Sequence, residues 1–430
     1  MTSWWEIALP QQVSTPMPIS RSQDQASYSQ NRVSYPQVLS QMTPFTLTKK
    51  ANLEGRLWGF LPNDQGIITY DSDANQSFLW SMEGAEIGTL AGIAIRASSD
   101  GQTIGLSASA REDRSRLVTL DGTERHRFEG TVVTFAPEEP QVFVYSHQQD
   151  RTSLFDFEGK ALASFKGMFF KFGPEHQSLI TYSSSEERYY LFTPEGGELA
   201  SFPSRNNALE FTSDGQQVVL SNISGPSQIF DLQGAEQAAY EGRFLSFTPD
   251  EQTLITYIQK EEVSHLLSLA GQHLATFPGF FQTFTSDLQH VITVLPEAEE
   301  THLYTLDGAK VASLIGSFQE LLPNEEQLIT STQGEAAMTY LYALTGDQLA
   351  VFEGRFRDFW QAQQVVITSG SSLDDDRIET RLSNLQGDEL VVLSGNFAGI
   401  TPDGTGIIVA HENSSSLFRI SGEPSDAIEN

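Results

Sequence analysis

The chain has 430 residues, no cysteine, and 25 Lys and Arg against 56 Asp and Glu, a formal net charge of −31. The missing cysteines exclude a disulfide framework, thiolate metal sites and cysteine nucleophiles. The charge argues against nucleic acid and anionic lipid, because phosphate contacts need local cations and the few present are scattered.

From the N-terminus, residues 1–43 are rich in Gln, Ser and Pro, a composition that disfavours a packed core. This stretch is expected to be an arm, flexible or held by a partner. It carries SWWEIALP, whose Trp4, Trp5, Ile7 and Leu9 would be costly in water and suit a hook that docks into another protein. The opening residues lack the basic flank and apolar run of a secretory signal. No apolar run is long enough to span a bilayer, so the expected location is cytoplasmic, without membrane insertion.

Residues 44–430 are repetitive. Short apolar runs ending in glycine recur at Gly84, Gly122, Gly159, Gly196, Gly234, Gly271, Gly308, Gly346, Gly387 and Gly422, in steps of 35 to 41 residues. Eight residues after most of them stands a second glycine, as at Gly92, Gly167, Gly242 and Gly354. An alternating GxFxxF stretch follows, as in GRFLSF (Gly242 to Phe247), then a Pro/Asp turn such as FTPDEQ, then a β-branched run such as LITYI. Each unit therefore holds four short strands. One such sheet cannot bury both faces alone, and stacking solves that, so the pattern predicts an all-β propeller of about ten blades. A single ring is favoured over two smaller ones, because no linker interrupts the array.

A ring has a seam. The segment 47–55, with Leu47, Ala51, Leu53 and Gly55, fits the fourth-strand template and is expected to complete the last blade. The C-terminal EPSDAIEN, the alternative, is spoiled by Pro424 and Asp426.

The strand–turn–strand stretch Phe247 to Tyr257, with Phe155-Asp156 and Phe230-Asp231 where a Trp-Asp pair would stand, resembles the WD40 repeat. Trp80 and Tyr304 occupy the same slot. No unit has that family's Gly-His pair, so its buried His–Asp network is absent, and packing of Phe and Leu is expected to replace it. The resemblance implies a platform for protein contacts. It also puts the polar loops after each second strand on one face. These carry Asp71, Asp73, Glu112, Asp113, Asp150, Glu186, Glu187, Glu261, Glu262, Glu299, Glu300, Asp374, Asp375 and Asp376, a ring of carboxylates suited to a basic protein partner. Solvated loop tips are the plainer account of the same residues.

Asp71-x-Asp73-x-Asn75 opens like a calcium loop but lacks its glycine and closing Glu. His265 and His302 share one slot in adjacent units. The variety of residues in that slot elsewhere suggests an exposed position rather than a metal pair. No P-loop, GxSxG, HExxH or dinucleotide fingerprint is present. The innermost strands read mostly Phe, Leu, Ala and Thr, with Arg243, Arg355 and Arg357 as exceptions near a channel mouth. The expectation is a non-enzymatic scaffold without cofactor, binding other proteins within a larger assembly. The alternative is a propeller enzyme or a small-ligand or cation binder with its site at the central channel.

Overall fold

A computed structural model describes residues 46–107, 114–137, 139–204, 207–212, 214–223, 225–334, 336–371 and 377–420. The strands form ten four-stranded antiparallel sheets. Nine are simple meanders, in which four consecutive strands pair in chain order; the first is Arg56–Leu61, Gly66–Asp71, Gln76–Trp80 and Glu86–Ala91. Burial orders each sheet radially. The second strand is almost wholly buried, as in Thr103–Ser107 and Val291–Leu295. The fourth strand is mostly exposed, as in Lys310–Ile315, and forms the outer rim. The first strand is half-buried throughout in Ser317–Leu321 and lines the channel.

Apolar clusters tie each blade to the next. One joins Ile255 and Leu266 of the sixth blade to Phe281, Phe284 and Val291 of the seventh. The chain of contacts closes on itself, because Leu53, Ile408 and Leu417 of the tenth blade pack with Ile67, Phe78 and Trp80 of the first. Pro44–Asn430 is one compact unit, so the ten blades form a single β-propeller rather than two rings.

The tenth blade is composite. Its strands Asn396–Ile400, Gly406–Ala410 and Ser414–Ile420 are completed by Leu47–Glu54, which pairs antiparallel with the last of them, Leu53 opposite Ser415. Arg419 stitches the same seam: its guanidinium donates to both Asp403 carboxylate oxygens at 2.9 and 2.6 Å, to Thr405 and, across to the first blade, to the Met82 carbonyl.

The repeat glycines have specific steric reasons. Gly84 has φ +81°, and a Cβ there would meet the Ala51 Cβ of the preceding blade at 2.3 Å. Gly55 has φ +78°, and its Cβ would meet the Tyr70 carbonyl carbon at 2.7 Å. Both positions need a left-handed backbone and no side chain.

A second device holds the blades together, and packing of Phe and Leu is therefore not the whole replacement for the missing His–Asp network. In nine blades a buried Ser or Thr near the start of the third strand donates to the carbonyl of the glycine leading into the next blade, at 2.7–3.2 Å. In six of these joints the hydroxyl also accepts the N–H two residues beyond that glycine, as when Phe281 donates to Ser264 Oγ at 3.0 Å. One side chain thus satisfies two buried backbone groups where consecutive blades meet. The ring closure uses the same joint, with Ser415 donating to the Gly55 carbonyl and accepting from the Leu57 N–H. The fourth blade departs from the pattern, with Tyr189 and Ser204 in the two slots.

Replacing Ser264 by Ala is expected to cost about 1–3 kcal/mol, since the Gly279 carbonyl and the Phe281 N–H both lose their partner. Ser264→Thr should be nearly neutral, because Thr fills the slot in other blades. Thermal or denaturant melts of the two variants check this; equal stability of the Ala variant and the parent would refute the joint.

Candidate functional site: loop face and channel wall

The loops joining second to third strands sit at one end of every blade. Asp73 falls there in the first blade, with Asp71 closing the strand before it, Glu186 and Glu187 in the fourth, Glu261 and Glu262 in the sixth and Glu299 in the seventh. The antiparallel meander repeats identically, so these loops share one face. Trp4, Trp5, Ile7, Leu9, Glu112, Asp113, Asp374, Asp375 and Asp376 lie outside the described residues.

The carboxylates on this face are not equivalent. Asp71 Oδ1 accepts the N–H groups of Asp73 and Ala74, at 2.8 and 3.1 Å, and so closes its own turn. Asn75 Oδ1 accepts from Tyr70 Oη at 3.0 Å. Of the three residues that resembled a calcium loop, Asp71 and Asn75 thus have a side-chain oxygen engaged in local structure. Asp150, on the third blade, accepts from Ser183 at 2.5 Å, Ser185 at 2.6 Å and Tyr145 at 3.0 Å, which ties it to the fourth. Burial pushes its pKa up, but these donors outweigh it and hold it below the usual aspartate value. Glu186 pairs with Lys166 at 2.5 Å and accepts from Tyr190. Asp73, Glu187, Glu261, Glu262 and Glu299 make no ion pair among the described residues, and Asp73, Glu187, Glu261 and Glu262 are exposed. The available charge is narrower than the sequence suggests.

Glu300 corrects the sequence reading. It opens a strand, Glu300–Tyr304, instead of ending a loop, and its carboxylate lies 3.0 Å from His302 Nε2. His302 is itself buried, not exposed, with Nδ1 3.1 Å from Tyr304 Oη. His265 has its ring against His273, centroids 4.9 Å apart, and burial and that neighbour hold its pKa below the ordinary value. Period-2 spacing along Glu300, His302 and Tyr304 puts all three on one side of the strand, and that alternation was the available signal.

The opposite face is acidic too. Its first-to-second-strand turns carry Asp100, Asp214, Asp250 and Asp287, each accepting from a Ser or Thr hydroxyl two residues earlier and from the N–H two residues later; for Asp250 the distances are 2.7 and 3.1 Å. The hydroxyl first, and then the N–H, hold these carboxyls below the usual aspartate range. Acidity is therefore spread over both faces and marks neither alone.

The channel wall is more polar than the GxFxxF pattern implies. Besides Arg243, Arg355 and Arg357, the inner strands carry Arg56, Arg96, Lys171, Glu210, Glu320 and Asp358. Lys171 pairs with Glu210 on the next blade. Burial, helped by Asp358, raises Glu320 to about 7. A cleft of about 620 Å³ opens between the fifth and sixth blades, lined by Tyr240, Glu241, Arg243, Tyr257, Ile258 and Lys260 among others. Among the described residues no group of three or more His, Asp or Glu side chains could hold a metal ion, and no helix is long and apolar enough to cross a membrane.

These groups set the sign of the pH dependence. The turn aspartates have depressed folded pKa values, so their contribution is complete above the unfolded value near 4 and is lost as pH falls through the folded values. Glu320 has a raised value, so its contribution is complete below about 4.5 and is lost as pH rises through about 7. Thermal midpoints are expected to peak near pH 5, by these two windows, and Glu320→Gln should flatten the decline towards neutrality. A parent whose midpoint rises steadily from pH 5 to 8 would contradict the assignment.

No protein-family model matches the sequence, and no curated protein matches it. Among solved structures, a eukaryotic initiation factor is similar over 86% of this chain and 90% of its own, at 9% identity and a TM-score of 0.48. The C-terminal WD40 domain of Sif2 is similar over 89% of this chain and 100% of its own, at 10% identity and a TM-score of 0.39. The dihydro-heme d1 dehydrogenase NirN is similar over 67% of this chain and 76% of its own, at 14% identity and a TM-score of 0.40. The architecture is established by the chain's own strand order and closure: it is a ten-bladed β-propeller.

Proposed function

We propose that this protein is a non-enzymatic scaffold that holds other proteins, with the second-to-third-strand loop face as one binding surface and the N-terminal arm as another. The observation that carries the first part is the set of exposed carboxylates on a rigid ring, Asp73, Glu187, Glu261 and Glu262, whose charge is not consumed by ion pairs among the described residues. Fixed carboxylates at repeated positions favour a basic partner, with on-rate and salt dependence as their signature. Trp4, Trp5, Ile7 and Leu9 supply the chemistry of a docking hook, with Trp the residue most enriched at binding hot spots. A soluble location in the cytoplasm belongs to the same reading.

The test is affinity capture from native lysate with three baits: the full chain, residues 44–430, and the full chain carrying Glu187→Gln, Glu261→Gln and Glu262→Gln. The expected result is a defined protein set, of which one part is lost with the arm and a basic, salt-sensitive part with the three glutamines. Identical recovery by all baits would remove both surfaces, and recovery of nothing would remove the scaffold.

A further inference from the structure

The outer rim of the seventh blade lacks a guard that most of the other rims carry. Every blade ends in an open sheet edge, and an open edge is a template for a further strand unless a charge or a proline blunts it. In this chain the guard stands just before the step into the next blade. That slot holds Glu54, Glu129, Lys166, Pro203, Glu241, Pro278 or Glu353 in seven blades, and the small Ala91 or Ser394 in two. In the seventh blade it holds Ile315, which is 54% exposed. Val311, on the same strand, is exposed as well. The one charge of this strand, Lys310, is turned onto its own sheet, with Nζ 3.3 Å from His302 Nε2.

The strand register leaves this edge able to pair. Lys310–Ile315 runs antiparallel to Glu300–Tyr304, with Ile315 opposite Glu300 and Ser313 opposite His302. One step on, the Gly316 N–H donates to the Glu299 carbonyl at 2.7 Å. Bonded and unbonded pairs alternate along an antiparallel ladder, so Ser313 and Ile315 turn their backbone groups away from the neighbouring strand. The Ile315 carbonyl accepts from the Thr330 hydroxyl of the eighth blade, which leaves the Ile315 N–H and both Ser313 groups directed outward. The sixth blade agrees with this direction: Pro278 fills the same slot, opposite Val263, and has no N–H to give to the sheet. Side chains alternate too. Ala312 and Leu314 pack with Leu328 and Tyr342 of the eighth blade, while Ser313 and Ile315 lie on the exposed side. Glu297 and Glu299, in the loop at the Ile315 end, make no ion pair among the described residues. An incoming strand therefore meets open donors and an acceptor, an apolar strip, and carboxylates at one end. A second copy of this chain fits badly, because it brings a net charge of −31 against the same charge.

We propose that the outer strand Lys310–Ile315 of the seventh blade is a docking edge for an extended segment of a partner protein. The segment adds as a further strand to the four-stranded sheet, its apolar residues alternating and its end beside Glu297 and Glu299 basic. This rim surface goes beyond the loop face and the arm, and its test involves neither. The probe is a fluorescein-labelled synthetic peptide that alternates Val and Thr between terminal lysines, titrated into the full chain and followed by anisotropy. A second peptide has the same sequence with its backbone N–H groups methylated. The protein variants are Ile315→Pro, which takes a residue that the slot already accepts as Pro203 and Pro278, and Leu162→Glu, an exposed apolar position on the rim of the third blade. The expected result is binding of the plain peptide by the parent and by Leu162→Glu, and weakening by about tenfold or more both in Ile315→Pro and with the methylated peptide. The proposal is overturned if the parent does not bind, if Ile315→Pro binds as the parent does, or if the methylated peptide binds as well as the plain one. A full chain that sediments as a dimer and is dissociated by Ile315→Pro would give the edge to a second copy and overturn it too. Should Ile315→Pro lose its melting transition, Ile315→Ser, the residue of the same slot at Ser394, decides the matter: unchanged affinity there refutes the edge.

Discussion

Truncating Leu53 to Ala is expected to destabilise the ring by about 2–5 kcal/mol, the usual range for a buried leucine. Leu53 is fully buried between the first and tenth blades, against Ile67, Phe78, Trp80, Ile408 and Leu417. The instructive comparison is Leu314→Ala. Leu314 has the same place in its repeat, two residues before Gly316, and is equally buried. It differs in connectivity. Its strand, Lys310–Ile315, follows its own blade in the chain, whereas Leu47–Glu54 joins the tenth blade only through pairing and packing. Loosening Leu53 therefore frees a strand that only non-covalent contacts hold, and ring closure must bear the loop entropy of the whole array. Leu53→Ala should lower the melting midpoint more than Leu314→Ala and raise hydrogen exchange across Ser414–Ile420. Equal effects from the two would mean that the seam is no weaker than any other joint.

Arg419→Met is expected to cost about 3 kcal/mol, because it strands a partly buried carboxylate and removes a cross-seam bond. The Arg419 side chain is 6% exposed and that of Asp403 29%. The loss falls on Asp403, on Thr405 and on the Met82 carbonyl of the first blade. Replacing both partners, as Asp403→Asn/Arg419→Met, should recover part of the loss, since no charge is then left unpaired. Chemical denaturation of the parent, the two single variants and the double variant gives the coupling directly. Strict additivity would show that the ion pair is incidental and that Arg419 acts through the Met82 carbonyl alone.

The two substitutions probe one piece of design that the sequence only half disclosed. The repeat was legible because its elements are local: alternating apolar residues, a Pro/Asp turn, a β-branched run and glycines at regular steps each have a short-range cause. Blade number followed from counting those glycines. The hydroxyl joints were not legible, because Ser and Thr are common in strands. Ser264 and Gly279 gain their meaning only when the third strand of one blade is seen to meet the entry of the next. His302 departs from expectation for a similar reason: variety of residues in its slot suggests exposure, while a strand in this ring can bury a histidine if its neighbours at period 2 supply partners.

By itself, then, the amino-acid sequence determined the fold class, the number of blades and the candidate strand at the seam, since all three depend on periodicity and steric preference along the chain. Only the tertiary structure decided which carboxylates remain available. It ties Asp150 and Glu186 to neighbours and leaves Glu187, Glu261 and Glu262 exposed, because availability depends on donors brought in from other strands and other blades.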